Sequence, residues 1–249
     1  MASQPHPYTT SPSLTPLSTL PPATLSTTSD PPIAHLMTSV LILRQQPSSS
    51  SPSSSQPQIL LLRRSPTDSY PLKWETPGGS VDVPTDPSLL AAAARELHEE
   101  ASLSNPHFHA TVGMARSVNA DEAARMGEWG IPPDEEDAKD VLLRGVPGLE
   151  EMKVTTFLET GNVWGKVNFI ATVEEGLTGA VVTDPREHLE WGWFTEDEVR
   201  RGRARRRRAD DDGEEEEEGR EIVLEFTSQA VWGSILESFR VGRELGIIV

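Results

Sequence analysis

The stretch "DPSLLAAAARELHEEAS", residues 86–102, predicts the clearest helix in the chain. Its alanines have the highest intrinsic helix propensity, and Asp86 and Pro87 suit the N-cap and the first helical position. Apolar residues recur along one side of this helix at spacings of four, three and four, at Leu90, Ala94, Leu97 and Ala101. Such a stripe predicts that the helix packs against a sheet.

Three carboxylates lie off that stripe. Positions three and four apart are neighbours on a helix, so Glu96 lies beside both Glu99 and Glu100, where like charges repel. Carboxylate oxygens are the ligands of hard divalent cations, and Mg²⁺ binds one or two of them while it keeps water and substrate phosphates. Arg95, four residues before Glu99, can hold a carboxylate or bind a phosphate. The alternative is a solvated helix face on which Arg95 and Glu99 form an ordinary pair.

Strand and helix patterns alternate on both sides of this helix. Strands rich in β-branched and apolar residues are predicted at 33–46, 59–65, 109–118 and 167–175. Further helices are predicted after Thr195, where Glu198 completes a capping box, and at 228–245. This alternation predicts an α/β fold with one core.

Low-complexity segments set the predicted domain boundaries. Residues 1–32 are dominated by Ser, Thr and Pro and are predicted to be a disordered leader, since they offer little apolar surface to bury. Residues 33–249 are predicted to form a single domain, with low-complexity insertions at 47–58 and 200–220.

Composition excludes several classes of function. The sequence has no cysteine, which excludes disulfides, thiolate metal sites and cysteine nucleophiles. The net charge is −17, from 22 basic and 39 acidic residues, which argues against a general nucleic-acid surface. The arginine run at 200–208 is followed directly by acids, so we interpret it as a self-neutralising loop. No apolar window has the length of a membrane span. We expect a cytoplasmic protein, with nuclear targeting through 200–208 as the alternative.

"PGGSVD" at 77–82, followed by "RELHEEASL" at 95–103, resembles the signature of the Nudix hydrolases, Gly-x5-Glu-x7-Arg-Glu-U-x-Glu-Glu-x-Gly-U with U aliphatic. The residues that match it are Gly79, Arg95, Glu96, Leu97, Glu99, Glu100 and Leu103. Trp74, a few residues before the glycines, is also usual around this motif. The combination of a turn, a helix and its polar face makes the match specific.

The sequence departs from the signature at two points. Arg95 follows Gly79 by sixteen positions instead of fourteen, and the middle glutamate has no exact counterpart, so Asp82 or Asp86 could take its place. Ser102 stands where the family has a glycine, which usually supplies a left-handed helix end. Neither departure removes a direct metal ligand.

The resemblance implies a mixed β-sheet sandwiched between α-helices, an α/β/α sandwich. It implies hydrolysis of a nucleoside diphosphate linked to another moiety, with Mg²⁺ or Mn²⁺ as cofactor and this small molecule as the partner. Glu96, Glu99 and Glu100 would be the metal ligands. The catalytic residues it implies are Glu96, Arg95 and Glu99. Glu96 would ligate metal or act as general base, and Arg95 would orient a glutamate.

The sequence leaves the roles of several residues outside the helix open. The resemblance implies that Gly78 and Gly79 let the backbone approach the substrate, and Arg64 could bind phosphate or be a rim charge. Glu187 is either an alternative base or a surface residue. Trp164 could stack a base or pack in the core.

The competing function is a non-catalytic nucleotide-binding module on the same fold. An isopentenyl diphosphate isomerase on this fold is expected to use a cysteine, which this chain lacks.

Overall fold

A computed structural model of the chain describes residues 6–46, 56–114, 138–143, 146–174, 181–206 and 220–249. The strands in this part of the chain are β1 (Thr9–Thr10), β2 (His35–Gln45), β3 (Pro57–Arg64), β4 (Trp74–Glu75), β5 (His107–Val112), β6 (Lys139–Leu142), β7 (Lys153–Glu159), β8 (Asn162–Thr172), β9 (His188–Thr195), β10 (Arg203–Arg206) and β11 (Arg220–Val223). The helices are a 3₁₀ helix (Pro12–Ser18), α1 (Pro22–Thr28), α2 (Leu89–Ala101), α3 (Glu196–Arg201) and α4 (Gln229–Glu244).

A mixed sheet is built around β2 and β8, which pair in parallel from His35↔Trp164 to Ile42↔Ala171. The sheet continues in the order β1-β5-β8-β2-β3-β4, with β9 on β3, β7 on β8 and β6 on β7. β8 is long enough to pair with β7 near its start and with β5 near its end. β10 and β11 form a separate antiparallel pair.

Side chains of the central strands alternate between two cores. Val40 and Ile42 of β2 face the core that contains α2, whereas Leu41 and Leu43 face the core that contains α4. A strand buried on both faces reads as a continuous apolar run, which is why residues 33–46 show no polar alternation. The predicted α/β/α sandwich is therefore confirmed.

Helix α4 and the start of α3 agree with the sequence. Ser228 caps α4 by accepting a hydrogen bond from the Val231 N–H at 3.2 Å. Thr195 and Glu198 form the predicted capping box at the start of α3. Among the described residues, no helix is both long and apolar enough to span a membrane.

The prediction that residues 1–32 are a disordered leader is wrong for residues 6–32. β1 adds a parallel strand to β5, and Leu14, Leu17 and Leu25 are at most 5% exposed in the α2-side core. The prediction from average composition was wrong because a few leucines are enough to order this segment when they fill a core that the rest of the chain builds. Residues 1–5 lie outside the described part, and the boundary of the single domain remains a prediction.

The predicted insertions are shorter than expected where the structure describes them. Pro57 already pairs with Gln45 in the β2–β3 hairpin, so the first connector is confined to residues before 57. In the second segment, Arg203–Arg206 forms β10, whereas the sequence predicted a loop there. Residues 47–55 and 207–219 lie outside the described residues.

Leu17 provides a test of the N-terminal segment, because its side chain is fully buried. Leu17→Ala is expected to lower the free energy of unfolding by about 2–5 kcal/mol, through lost apolar contact and the cavity left behind. Urea unfolding followed by circular dichroism measures this. The matched control is exposed Leu245→Ala, which should change stability by less than about 0.5 kcal/mol. Equal effects of the two substitutions would contradict the packing described.

His109 on β5 should make stability depend on pH. Partial burial, and then the neighbouring His107, lower the pKa of His109 to about 4 from its usual 6.5. Between these two values the unfolded chain binds more protons, so the free energy of unfolding should fall as the pH decreases from 6.5 towards 4. Because the ring is partly exposed, we expect this loss to be on the order of 1 kcal/mol. His109→Gln should remove this component of the urea-unfolding pH profile, and an unchanged profile would contradict the assignment.

Candidate functional site

Helix α2 begins two residues later than predicted. Ser88 is the N-cap, and its hydroxyl accepts a hydrogen bond from the Ala91 N–H at 3.2 Å. Asp86 and Pro87 therefore lie before the helix, and the prediction that Asp86 caps it is wrong. Both residue types are good N-caps, so the sequence did not distinguish them. The side chain of Asp86 instead belongs to the polar site.

Arg95 is the hub of that site. Its guanidinium donates to both carboxylate oxygens of Asp86, at 3.1 and 2.8 Å, and to the Ser80 carbonyl at 3.1 Å. It also donates to Glu96 at 2.9 Å and to Glu99 at 2.8 Å. Hydrogen bonds to Asp86 are the largest contribution to the raised pKa of Arg95. Because protein acceptors occupy its N–H donors, Arg95 binds carboxylates of the protein in this structure rather than a phosphate.

Asp86 takes the place left open by the missing middle glutamate. The Asp86 side chain, which pairs with Arg95, is 6% exposed. It also accepts a hydrogen bond from the Asp82 N–H at 2.8 Å. Asp82 instead bonds the Thr85 hydroxyl at 2.8 Å. The N–H groups of Thr85 and Asp86 both donate to the Asp82 carbonyl, so the extended loop folds into a turn that brings Asp86 to Arg95.

Two glycines fit closely against the carboxylates of α2. The Gly78 N–H donates to Glu100 Oε2 at 2.7 Å. A Cβ added at Gly79 would lie 2.6 Å from Glu96 Oε2, and one at Gly78 would lie 2.2 Å from the Thr38 carbonyl oxygen. The glycines were predicted to approach substrate, and in this structure they approach the protein's own carboxylates and backbone. Their role towards substrate remains a prediction.

Glu96 and Glu100 lie in surroundings that disfavour negative charge. Burial is the largest cause of the raised pKa of Glu96, which is 9% exposed. Burial also raises the pKa of Glu100 well above its usual value, with further contributions from the charges of Glu75, Glu96 and Glu187. A cation at this point would relieve the repulsion among these carboxylates.

The side chains that converge most closely include two from β9 and the loop before it. Ligand atoms of Glu100, Glu187 and His188 all lie within 4.8 Å of one another. In the described part of the chain this is the group whose ligand atoms lie this close together. It shares Glu100 with the predicted set of Glu96, Glu99 and Glu100, which remains a prediction. The Glu99 side chain is 53% exposed at its pair with Arg95. Glu187 is exposed and yet faces this cluster. It is therefore a surface residue in a position where the alternative role as a base stays open.

Sequence reasoning missed His188 and Glu75. His188 is 1% exposed, and its Nε2 lies 3.2 Å from Glu75 Oε1. Its Nδ1 is buried and has no hydrogen-bond partner among the described residues. The available signal was the adjacency of a histidine to Glu187 in "REHLEW", but only the fold shows that β9 begins beside α2.

Arg64, predicted to bind substrate, contacts protein side chains in this structure. It donates to Glu75 at 2.5 Å and to Asp68 at 2.7 Å. Arg63 similarly pairs with Glu190 at 2.7 Å. Arg64 therefore orients the carboxylate that contacts His188, and its predicted contact with substrate remains a prediction.

The end of α2 has the backbone conformation that the motif requires, although it lacks the glycine. Ser102 has φ +55° and ψ +19°, and its N–H donates to the His98 carbonyl at 2.9 Å. The Ser102 hydroxyl donates to the Val182 carbonyl at 3.1 Å, which helps to hold this strained residue. The ring of His98, in the last turn of α2, is half-buried, with its centroid 4.5 Å from that of His6.

Comparison with known proteins gives a family match and partial relatives. A profile of the NUDIX domain matches residues 46–213, which is more than half of the chain. Over 65 residues the chain is 42% identical to the ADPR responsive transcriptional repressor NtrR of Acinetobacter baylyi. That match covers 24% of this chain and 25% of the repressor, so the chain spans about a quarter of the length of this curated relative.

Solved structures with a similar chain path include two hydrolases. The Ap4A hydrolase of C. elegans, in a binary complex, is 16% identical with a TM-score of 0.44, and the match covers 85% of this chain and 98% of that one. The Nudix hydrolase RenU of M. smegmatis is 23% identical with a TM-score of 0.40, and covers 66% and 73% respectively.

Proposed function

Because the chain belongs to the NUDIX domain family, we propose that it is a hydrolase that cleaves the diphosphate linkage of a nucleoside diphosphate joined to another moiety. We further propose that a divalent cation, Mg²⁺ or Mn²⁺, is its cofactor. The observation that carries this proposal is the convergence of Glu100, Glu187 and His188 within 4.8 Å. It lies beside the buried carboxylate of Glu96.

The donor set suits such a cation. Carboxylate oxygens favour Mg²⁺ and Mn²⁺, and an imidazole is an acceptable additional ligand for Mn²⁺. Glu100 and Glu187 would hold the cation, with His188 beside them and Glu96 nearby. When bound, it would neutralise charge on the phosphoryl oxygens and lower the pKa of a bound water.

The remaining residues orient this set. Arg95, which is held by Asp86, orients Glu96 and Glu99. The Gly78 N–H fixes the Glu100 carboxylate. Glu96 is the proposed general base, because a raised pKa brings a carboxylate closer to the pH at which proton transfer is effective. Glu187, which is exposed beside the same cluster, would be the alternative base in an arrangement where it does not hold the cation.

A substrate panel tests the proposed activity. Nucleotide sugars, dinucleoside polyphosphates, NADH, ADP-ribose, coenzyme A and oxidised nucleoside triphosphates are incubated with Mg²⁺ or Mn²⁺, and product release is measured. Glu100→Gln should lower kcat/KM on any active substrate by about 100-fold or more, since even residues that merely support metal ligands typically contribute 10- to 100-fold. The control Glu151→Gln removes an exposed carboxylate outside the site and should leave the rate unchanged. Absence of turnover across the panel would refute the proposed activity.

A second candidate is a non-catalytic nucleotide-binding module. It is favoured by the 42% identity, over 65 residues, to a repressor described as ADPR responsive. This candidate predicts saturable binding of ADP-ribose without hydrolysis, and binding that Glu100→Gln does not weaken. Isothermal titration of ADP-ribose, with product analysis of the same samples, distinguishes the two functions. Cytoplasmic localisation is likewise a proposal, based on the composition alone.

A further inference from the structure

His188, the first residue of β9, is buried, and one of its two ring nitrogens is already engaged. Its Nε2 lies 3.2 Å from Glu75 Oε1. Glu75 also accepts a hydrogen bond from Arg64 at 2.5 Å, and Arg64 is held in turn by Asp68 at 2.7 Å. An ionised carboxylate only accepts hydrogen bonds, so the proton of the neutral imidazole belongs on Nε2. The contact with Glu75 therefore selects one tautomer of His188.

The second ring nitrogen of His188 is left with a lone pair and no partner. In the tautomer that Glu75 selects, Nδ1 carries no proton and can only accept. This atom is shielded from solvent, and the described residues offer it no hydrogen bond. Buried polar atoms without a partner are rare in folded proteins, and a bound ion is one of the few explanations for them. A cation would supply the partner that Nδ1 lacks.

The side chains beside His188 favour a cation over a hydrogen-bond donor. Ligand atoms of Glu100, Glu187 and His188 lie within 4.8 Å of one another. Two ionised carboxylates and an imidazole lone pair all donate electron pairs, so none of the three can satisfy another, whereas one ion among them would bind all three. A histidine that binds a metal almost always donates its other N–H to a carboxylate, a carbonyl or water, and the contact of Nε2 with Glu75 has this form.

We propose that His188 binds the cation through Nδ1, that Glu75 and Arg64 are positioning residues that fix its ring, and that this nitrogen makes the site prefer a first-row transition metal ion such as Mn²⁺ to Mg²⁺. The inference rests on the proposed function, because it concerns the same cation. It adds a ligand from outside the acidic helix and an ion preference. Mg²⁺ is bound by oxygen ligands, whereas imidazole is a good ligand for first-row transition metals.

Electron spin echo envelope modulation of the Mn²⁺-loaded full-length protein tests the nitrogen ligand without requiring turnover, because a nitrogen bound to Mn²⁺ modulates the echo. The wild type should show nitrogen coupling that changes when only the histidines are labelled with ¹⁵N. His188→Gln should lose this coupling. The control is His98→Gln, which removes a histidine from the last turn of α2 and should keep the coupling.

Metal affinities test the ion preference and the positioning role. His188→Gln should raise the Kd for Mn²⁺ by about tenfold or more, and the Kd for Mg²⁺, measured by displacement of Mn²⁺, by much less. Glu75→Gln leaves His188 in place and should also weaken Mn²⁺ more than Mg²⁺, with a rise in the Kd for Mn²⁺ of about tenfold. Glu225→Gln is the matched control, because Glu225 pairs with Lys73 instead, and it should leave both Kd values unchanged.

A Mn²⁺-loaded wild type without histidine nitrogen coupling would overturn the inference, and this result does not depend on whether His188→Gln folds. Equal losses of Mn²⁺ and Mg²⁺ affinity in His188→Gln would also overturn it. If coupling is absent while Glu100→Gln abolishes Mn²⁺ binding, the inference fails and the proposed carboxylate site stands. A wild type that does not bind Mn²⁺ would overturn both. Nitrogen coupling without hydrolysis across the substrate panel would support the inference and refute the proposed enzyme activity.

Discussion

Arg95→Ala is expected to lower the free energy of unfolding by about 3–5 kcal/mol, because it leaves the nearly buried carboxylates of Asp86 and Glu96 without their cationic partner. The Arg95 side chain is 21% exposed, and those of Asp86 and Glu96 are 6% and 12% exposed. The substitution should also abolish activity, since Glu96 and Glu99 lose the group that orients them. Urea unfolding and product release measure the two effects.

Two further variants separate orientation from charge. Arg95→Lys keeps the charge but cannot donate two parallel hydrogen bonds to Asp86, so it should recover part of the stability and little of the activity. Arg240→Ala removes an exposed arginine that pairs with Glu237 and Glu244 on α4, and should change stability by no more than about 1 kcal/mol. A similarly small stability loss in Arg95→Ala would mean that the acidic face is solvated and that Arg95 is an ordinary surface partner.

Gly78→Ala is the second substitution with a large expected effect. Its new Cβ would lie 2.2 Å from the Thr38 carbonyl oxygen and 2.7 Å from the Ser39 Cα, and neither backbone atom can turn aside. Gly78 also has φ +153°, which side chains rarely adopt. We expect a loss of about 2–5 kcal/mol from overpacking and backbone strain together. Displacing the segment would also break the hydrogen bond from the Gly78 N–H to Glu100 and reduce activity.

Gly161→Ala is the matched control for Gly78→Ala. Gly161 has φ +80°, but a Cβ there would meet nothing within 4 Å. It should therefore show only the cost of a left-handed residue, about 1–2 kcal/mol, and no loss of activity. Chemical unfolding gives the stabilities, and product release the activities. If the two alanine variants were equally active and equally stable, the close approach at Gly78 would not matter to the site.

The central elements of the fold could be predicted because local and global signals agree there. The apolar run of β2 predicts a strand buried on both faces, and the alternation of Leu41 and Leu43 with Val40 and Ile42 fills two cores. The leader could not be predicted from composition. Its leucines are few, and their burial depends on a core that other segments build.

The site was predictable where its residues share one helix and not where they come from distant strands. Arg95, Glu96, Glu99 and Glu100 follow from helical spacing, whereas Glu75 and His188 are 113 residues apart and meet only through the β3–β4 and β3–β9 pairings. The choice between Asp82 and Asp86 depended on how the extended loop turns, which propensity does not determine. Packing, rather than sequence pattern, therefore selects these members of the site.

Direct titration of Mn²⁺, followed by electron paramagnetic resonance of the free ion, tests the central claim without knowledge of the substrate. The wild-type protein should bind Mn²⁺, and Glu100→Gln and Glu187→Gln should each weaken binding by about tenfold or more. Glu151→Gln should bind as the wild type does. Mn²⁺ affinity that is indifferent to both Glu100→Gln and Glu187→Gln would contradict the proposal that these carboxylates form the cation site.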